Sequence, residues 1–402
     1  MKKFCCFIVV LFLCPLIFVN EGCIFHNHQY QETIVAPTCE ESGYSIFECA
    51  CGENYISNYT NALGHKFTNY VYDNNATYEQ DGTKTAKCDR ENCNATKTVI
   101  ANGTKLIKRT VRLVYNNGKA DQIIEIQKGQ TFSQPKDPYK NNYIFTGWYT
   151  SAYLYEKYDF STPVSTNIIL YAGYTLDAAK ITNTISTDII KGVVKITNKC
   201  YNTFLGFETS LATSQGSGFC FHIQDGYYYV LTNCHVAKKI SGYDNQKYTI
   251  EDYQGHTYQG YLYHNPYSFV DAIAAKYDLA CLWFKPSSTN VKKLPLATEN
   301  PKQNDDIVLL GAPKGQENAI TYGVVQSYKT VKLSDTSTSQ SNVTFDVIVS
   351  SAFSDKGSSG GPALNSNLQV VGVCYAGNST NTLSYSIPIL KVREFLTNYV
   401  YS

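Results

Sequence analysis

Gly357-Ser358-Ser359-Gly360-Gly361-Pro362 places a small hydroxyl inside a glycine-rich turn. Glycine lets the backbone turn tightly, so consecutive N–H groups can point at one spot beside the serine. Charge developing on a substrate carbonyl oxygen would sit there. A Gly/Ser stretch of this kind also makes an ordinary surface turn, so the meaning of the six residues depends on what the rest of the chain supplies.

A serine at its free pKa is a weak nucleophile and needs a base, which itself needs an orienting group. Upstream, Tyr227-Tyr228-Tyr229-Val230-Leu231-Thr232-Asn233-Cys234-His235-Val236 is a β-rich run ending in a histidine. Tyr277-Asp278-Leu279-Ala280-Cys281-Leu282-Trp283-Phe284 follows, an aspartate opening an apolar strand. Either residue alone is more often structural. Three such signals in the order His, Asp, Ser, each at the end of a predicted element, point to one catalytic set. His222, His256 and His264 sit among turn or polar residues, and no strand opens directly after Asp271. Ser358 holds the variable position of the glycine motif, so Ser359 is the expected nucleophile.

With Gly216-Ser217-Gly218-Phe219, Gly311-Ala312-Pro313-Lys314-Gly315, Thr321-Tyr322-Gly323-Val324-Val325 and Tyr385-Ser386-Ile387-Pro388, residues from about Ile181 to Ser402 resemble the trypsin/chymotrypsin-like serine peptidases. The similarity is to the HtrA/Deg-like bacterial branch. It implies a mainly β fold, a chymotrypsin-like double β-barrel. It also implies His235 as general base, Asp278 as its orienter, Ser359 as nucleophile, and the N–H groups of Gly357 and Ser359 as the oxyanion hole. The family's side-chain pocket would be lined by Phe353, Ser354 and Asp355, then by Tyr375, Ala376 and Gly377. Phe353 at the pocket base, in place of an acid, argues against a preference for Lys or Arg. The chemistry implied is peptide-bond hydrolysis through an acyl-enzyme, which needs no metal or organic cofactor. Two departures stand out: Ser358 replaces the branch's usual Asn, and Cys234 precedes the histidine. No PDZ-like segment precedes the end at Ser402, so a peptide-sensing chaperone-protease is not expected.

Composition is compatible with this. The 402 residues carry a formal net charge of +1 with no basic block, which sets a nucleic-acid partner aside. Tyr is abundant at 34 residues, and β-branched and aromatic residues dominate the apolar runs. Lys2 and Lys3 precede the apolar run Phe4 to Val19, so residues 1–22 read as a signal peptide. A signal anchor, or lipid attachment at Cys23, is the alternative; Asn20 and Glu21 fit poorly before a lipidated cysteine. No other stretch is long and apolar enough to span a bilayer, so a secreted or surface-associated protein is expected.

Residues 23–106 hold a degenerate repeat. Thr38-Cys39-Glu40-Glu41-Ser42-Gly43-Tyr44 recurs as Thr77-Tyr78-Glu79-Gln80-Asp81-Gly82-Thr83. The copies continue to Cys49 and Cys51, and to Cys88 and Cys93; His28 and His65 precede them. The pattern resembles short Cys/His repeats of surface proteins from low-GC Gram-positive bacteria. Three readings stay open: a zinc site from His28, Cys39, Cys49 and Cys51, disulfides such as Cys88 with Cys93, or unpaired thiols. Tyr78 removes a potential ligand from the second copy. Residues 107–176, with Val111-Arg112-Leu113-Val114-Tyr115-Asn116-Asn117-Gly118 and Tyr143-Ile144-Phe145-Thr146-Gly147-Trp148-Tyr149, read as hairpins. They resemble the Listeria–Bacteroides B-type repeat, a β-grasp-like module, with Trp148 as its core aromatic. The two N-terminal segments are the expected contact with a cell-surface ligand.

A short polar linker, Asp177 to Asp188, leads into the protease domain, taken as 177–402. A C-terminal helix is expected over Ile389 to Val400, with Leu390, Val392, Phe395 and Leu396 at helical spacing. Cys200, Cys220, Cys234, Cys281 and Cys374 cannot all pair within that domain; Cys281 and Cys374 read as small buried hydrophobes. Two function classes follow. One is an active secreted endopeptidase. The other is a surface adhesion or binding protein with a silent protease-like domain. The complete His-Asp-Ser set favours the first.

Overall fold

The β-branched and aromatic runs form strands along nearly the whole chain. The computed structural model describes residues 27–263, 276–311, 319–331, 343–354, 357–378, 380 and 382–401. The signal segment 1–22, Cys23, His264, Asp271, Asp355 and most of the 311–315 motif therefore lie outside the described residues. Among the described residues no helix is long and apolar enough to cross a membrane.

Two compact units can be recognised. The first contains the Cys/His repeats, and each copy is a small antiparallel sheet. β1 (Tyr30–Val35), β2 (Gly43–Cys49) and β3 (Asn54–Thr60) form one. β4 (Val71–Tyr72), β5 (Thr83–Lys87) and β6 (Thr96–Ile100) form the other. Their apolar side chains are largely exposed: Ile34, Tyr59, Val71, Tyr72 and Ile100 all face solvent.

The hairpin module falls mostly in the second unit, with Lys108, Arg109 and residues 125–127 counted in the first. Its strands are β7 (Lys108–Val114), β8 (Gln122–Gln127), β9 (Tyr143–Tyr149) and β10 (Ile168–Leu176), in the order β8-β7-β10-β9. β10 runs parallel to β7, Ile168 opposite Val111, and antiparallel to β9. Trp148 is buried, as are Val111, Leu113 and Leu170.

The segment read as a polar linker is a helix. α1 (Ala178–Thr187) is capped by the Asp177 carboxylate, which accepts from the Lys180 N–H at 3.0 Å. Its Thr and Asn residues face outward and hide the pattern, while Ile181 and Ile185, one turn apart, are fully buried. Both join the same apolar cluster as the second barrel.

Two closed six-stranded barrels follow. The first contains β11 (Val193–Phe204), β12 (Phe207–Gln224), β13 (Tyr227–Thr232), β14 (Asn245–Glu251), β15 (Thr257–Leu262) and β16 (Ala280–Phe284), closed as β11-β12-β13-β16-β15-β14. The second contains β17 (Asp306–Gly311), β18 (Ala319–Lys329), β19 (Val347–Ser350), β20 (Pro362–Leu364), β21 (Val370–Gly377) and β22 (Ser384–Pro388), closed as β17-β18-β19-β22-β21-β20. Val194, Ile196, Val230, Ile250, Leu282 and Phe284 fill the first barrel. A larger cluster fills the second and reaches Phe219, Leu231 and Leu279 of the first, so the barrels share a core. This is the chymotrypsin-like double barrel. A last helix, Ile389–Tyr399, follows β22 directly. Val392, Phe395 and Leu396 are buried as expected, while Ile389 joins that face and Leu390 is exposed. Each of these large side chains contributes about 1.5–3 kcal/mol on burial.

Candidate active site

β13 ends at Thr232, and Asn233 starts a single helical turn, Cys234–Ala237. That turn carries His235 inward. The Asn233 side chain donates to the Asp278 carbonyl at 2.9 Å, which ties the start of the turn to the loop before β16. Asp278 is completely buried and has φ 50, a left-handed conformation that Asp tolerates better than most side chains. Its carboxylate receives two bonds from one residue. The His235 backbone N–H donates to Oδ1 at 3.0 Å, and Nδ1 lies 2.7 Å from Oδ2. With Nδ1 protonated towards this carboxylate, Nε2 is the ring atom with a free lone pair.

The glycine turn reaches the same place from the second barrel. The Ser217 N–H donates to the Ser359 carbonyl at 2.7 Å, and Ser217 Oγ donates to the Gly357 carbonyl at 2.8 Å. The Thr232 hydroxyl in turn donates to the Ser217 carbonyl at 2.7 Å. Gly216 lies between the two halves: a Cβ there would fall 2.6 Å from Val236, the neighbour of His235, and 2.9 Å from the Ser359 carbonyl oxygen. Gly357 and Gly360 take φ +98 and +86, conformations that glycine adopts at no steric cost. Among the described residues, neither the Gly357 N–H nor the Ser359 N–H donates to a protein acceptor. Ser358 is buried against Gly311, and its carbonyl accepts from the Gly361 N–H at 3.0 Å. Ser217 and Thr232 thus hold the turn in which Ser358 replaces the branch's usual Asn. Their signal was present in the Gly216-Ser217-Gly218-Phe219 motif and in the strand before His235.

The pocket candidates take different positions. Phe353 is half-buried, and its carbonyl accepts from Thr321 Oγ1 at 2.7 Å. Ser354 is buried with Oγ 3.1 Å from Cys374 Sγ. Ala376 is buried, and Gly377 lies against the Ser354 carbonyl. Tyr375 is fully enclosed, and its hydroxyl has no hydrogen-bond partner among the described residues. Burial pushes that phenol up, and the nearby Asp278 charge pushes it further.

The candidate zinc residues are not brought together as a set of four. His28, Cys49 and Cys51 cluster, whereas Cys39 lies with His65, Cys88 and Cys93. Repeat spacing pointed to ligands within one copy, but the turn after Val35 directs the Cys39 sulfur elsewhere. The described cysteines, Cys88 and Cys93 included, are thiols.

Two closed barrels, with a buried His–Asp pair on the first and a glycine-bracketed serine turn bonded to the first from the second, have the architecture of the chymotrypsin-like peptidase class. The profile of the trypsin-like peptidase domain matches residues 216–373, and that of the Listeria–Bacteroides repeat domain matches residues 110–173. The chain therefore carries a trypsin-like peptidase domain preceded by a Listeria–Bacteroides repeat. Among curated relatives, serine protease HTRA4 of Mus musculus is 28% identical over 189 residues, 47% of this chain and 35% of that protein. The mitochondrial serine protease HTRA2 of Bos taurus is 32% identical over 184 residues, 46% of this chain and 36% of that protein. The chain thus spans little more than a third of the length of these two relatives. Among solved structures, the active form of the Rv3671c protease from M. tuberculosis is 22% identical with a TM-score of 0.41, covering 55% of this chain and 86% of that one.

Proposed function

We propose that the chain is a serine endopeptidase in which Ser359, His235 and Asp278 act together. The observation that supports this is the doubly bonded Asp278 carboxylate, which accepts from the His235 backbone N–H and faces Nδ1 of its ring. Ser359 Oγ attacks the scissile carbonyl while His235 Nε2 takes its proton. Asp278 stabilises the resulting imidazolium. The N–H groups of Gly357 and Ser359 receive the oxyanion, each worth about 3–4 kcal/mol in sites of this kind. His235 then returns the proton to the leaving amine, and water repeats the sequence on the acyl-enzyme.

Residues 1–22 direct export, and the protein works outside the cell or at its surface, on protein or peptide substrates. Residues 23–106 and 107–176 supply contacts to a surface ligand. Phe353, at the position where an acid would select Lys or Arg, favours a small or medium apolar side chain at the cleaved position. The test is fluorophosphonate labelling and peptide hydrolysis of the wild type and Ser359→Ala. The wild type is expected to label once, at Ser359, and the variant to lose labelling and about 10⁴-fold or more in kcat. Undiminished hydrolysis by the variant would move the nucleophile elsewhere.

A further inference from the structure

We propose that Cys39, His65, Cys88 and Cys93 form a tetrahedral zinc site that fastens the first Cys/His repeat to the second. The four ligand atoms lie within 4.8 Å of one another. Cys39 Sγ is 3.8 Å from Cys88 Sγ, and Cys93 Sγ is 3.3 Å from His65 Nδ1. A tetrahedral zinc with Zn–S bonds of about 2.3 Å sets its sulfurs about 3.8 Å apart. A disulfide needs about 2.05 Å between sulfurs. Three thiolates and an imidazole are a donor set that selects zinc over the hard cations.

The backbone around each ligand is already fixed. Thr38 Oγ1 accepts from the Glu40 N–H at 3.3 Å and the Glu41 N–H at 2.9 Å, closing the turn that presents Cys39. The Leu63 N–H donates to the Thr38 carbonyl at 2.9 Å, and the Asp89 N–H to the Lys66 carbonyl at 2.8 Å. These two bonds hold the His65 segment between the other ligands. Arg90 adds contacts from its guanidinium to the carbonyls of Gly64 and Leu63, at 3.0 and 3.1 Å. His65 uses its other ring nitrogen as well: Nε2 is 3.3 Å from the Glu40 carboxylate. An imidazole with Nδ1 on the ligand cluster and Nε2–H on a carboxylate has the tautomer and orientation of a metal-bound histidine.

The unit also needs such a staple. Its fully buried residues between 27 and 106 are Gly43, Ser45, Cys49, Gly82, Ala86, Cys88 and Ala101. No large aliphatic or aromatic side chain is among them, and segments this short without a core depend on metals or disulfides. The arrangement accounts for Tyr78 too. The ligand at the Cys39 position serves the copy that follows, and the second copy is followed by a hairpin module instead of a third copy.

The test uses the full chain, purified under reductant, with zinc content and the Co²⁺-loaded absorption spectrum as readouts. The wild type is expected to show tetrahedral cobalt bands with thiolate-to-cobalt charge transfer. Cys39→Ser and Cys88→Ser should each lose one zinc equivalent per chain and that part of the spectrum. Cys39→His, which keeps a ligand, should retain the zinc. Cys51→Ser, in the separate cluster whose Sγ lies 3.2 Å from His28 Nδ1, should retain the equivalent that Cys39→Ser loses. Unchanged metal content in Cys39→Ser, or no thiolate band in the wild type, overturns the proposal. So does a disulfide joining any two of Cys39, Cys88 and Cys93 in the chain isolated without reductant.

Discussion

A single methyl group at Gly360 tests the geometry around Ser359. Gly360 has φ +86, and a Cβ there would lie 2.0 Å from the Ser217 carbonyl oxygen and 2.3 Å from Thr232 Oγ1. Alanine in a left-handed conformation costs about 1–2 kcal/mol by itself. Neither neighbour can swing away cheaply, because the Ser217 carbonyl is strand backbone already bonded to the Thr232 hydroxyl. Ordinary contact is about 3.5 Å, so the turn has to retreat from the first barrel by about 1 Å or more. That retreat gives up the Ser217 N–H bond to Ser359 and the Ser217 Oγ bond to Gly357, about 1 kcal/mol each. The sum, about 3–4 kcal/mol, lowers Tm by roughly 6–16 °C in a domain of this size. A displacement of about 1 Å at a reacting atom also costs on the order of 10²-fold in kcat.

Gly226 provides the control. It has φ +78, and its nearest foreign atom would be Lys285 Cε at 3.9 Å, so alanine there carries the strain without the collision. Gly360→Ala and Gly226→Ala are compared by thermal melts, peptide kinetics and fluorophosphonate labelling rate. Gly226→Ala should lose about 1 kcal/mol of stability and keep wild-type kcat/KM. If Gly360→Ala keeps kcat within threefold of wild type while folded, the contact of the Ser359 turn with Ser217 is not what positions the nucleophile. Equal activity losses in both variants would refute the reasoning in the same way.

Asp278→Asn should lower kcat/KM by about 10⁴-fold with the fold retained, because an amide N–H facing His235 Nδ1 moves the ring proton to Nε2, where the base is needed; activity within tenfold of wild type would remove Asp278 from the mechanism. Burial holds the Cys374 thiol up at about 11 and the Cys220 thiol at about 12. Their folded-state values exceed the unfolded ones, so the unfolded chain releases these protons first and stability should fall as pH rises from about 9 to about 11; urea melts at pH 7, 9 and 10.5 measure it, and a flat series contradicts the burial. A fragment of residues 177–402 should hydrolyse small peptides like the long chain. One starting at Lys180 lacks the Asp177 cap and should be about 1 kcal/mol less stable. A folded but inactive 177–402 fragment would make the N-terminal modules part of the catalytic machinery.

What could be read directly from the sequence was whatever local chemistry determines. A tight turn with positive φ at Gly357 and Gly360 demands glycine, so the turn at Ser359 is visible in the sequence, and the His235 and Asp278 strand ends give it its meaning. The pairing of His235 with Asp278 follows from two strand ends that the barrel brings together, and runs such as Val230-Leu231 and Ala280-Cys281-Leu282 carry the β signal openly. What stayed hidden was decided by tertiary choice. α1 is mostly Thr, Asn and Ala, and only Ile181 and Ile185, meeting the core of another element, make it a packed helix. Tyr375 sits on the expected strand and is fully buried, and no pattern in Val373-Cys374-Tyr375-Ala376 announces that degree of burial. Cys39 is the sharpest case. Repeat spacing gives each copy its own ligands, yet one hydrogen-bonded turn at Thr38 delivers that sulfur to the next copy. A repeat read copy by copy therefore assigns the wrong partners whenever the contact that stabilises it lies between copies, and small β repeats without buried large side chains are where such contacts are most needed.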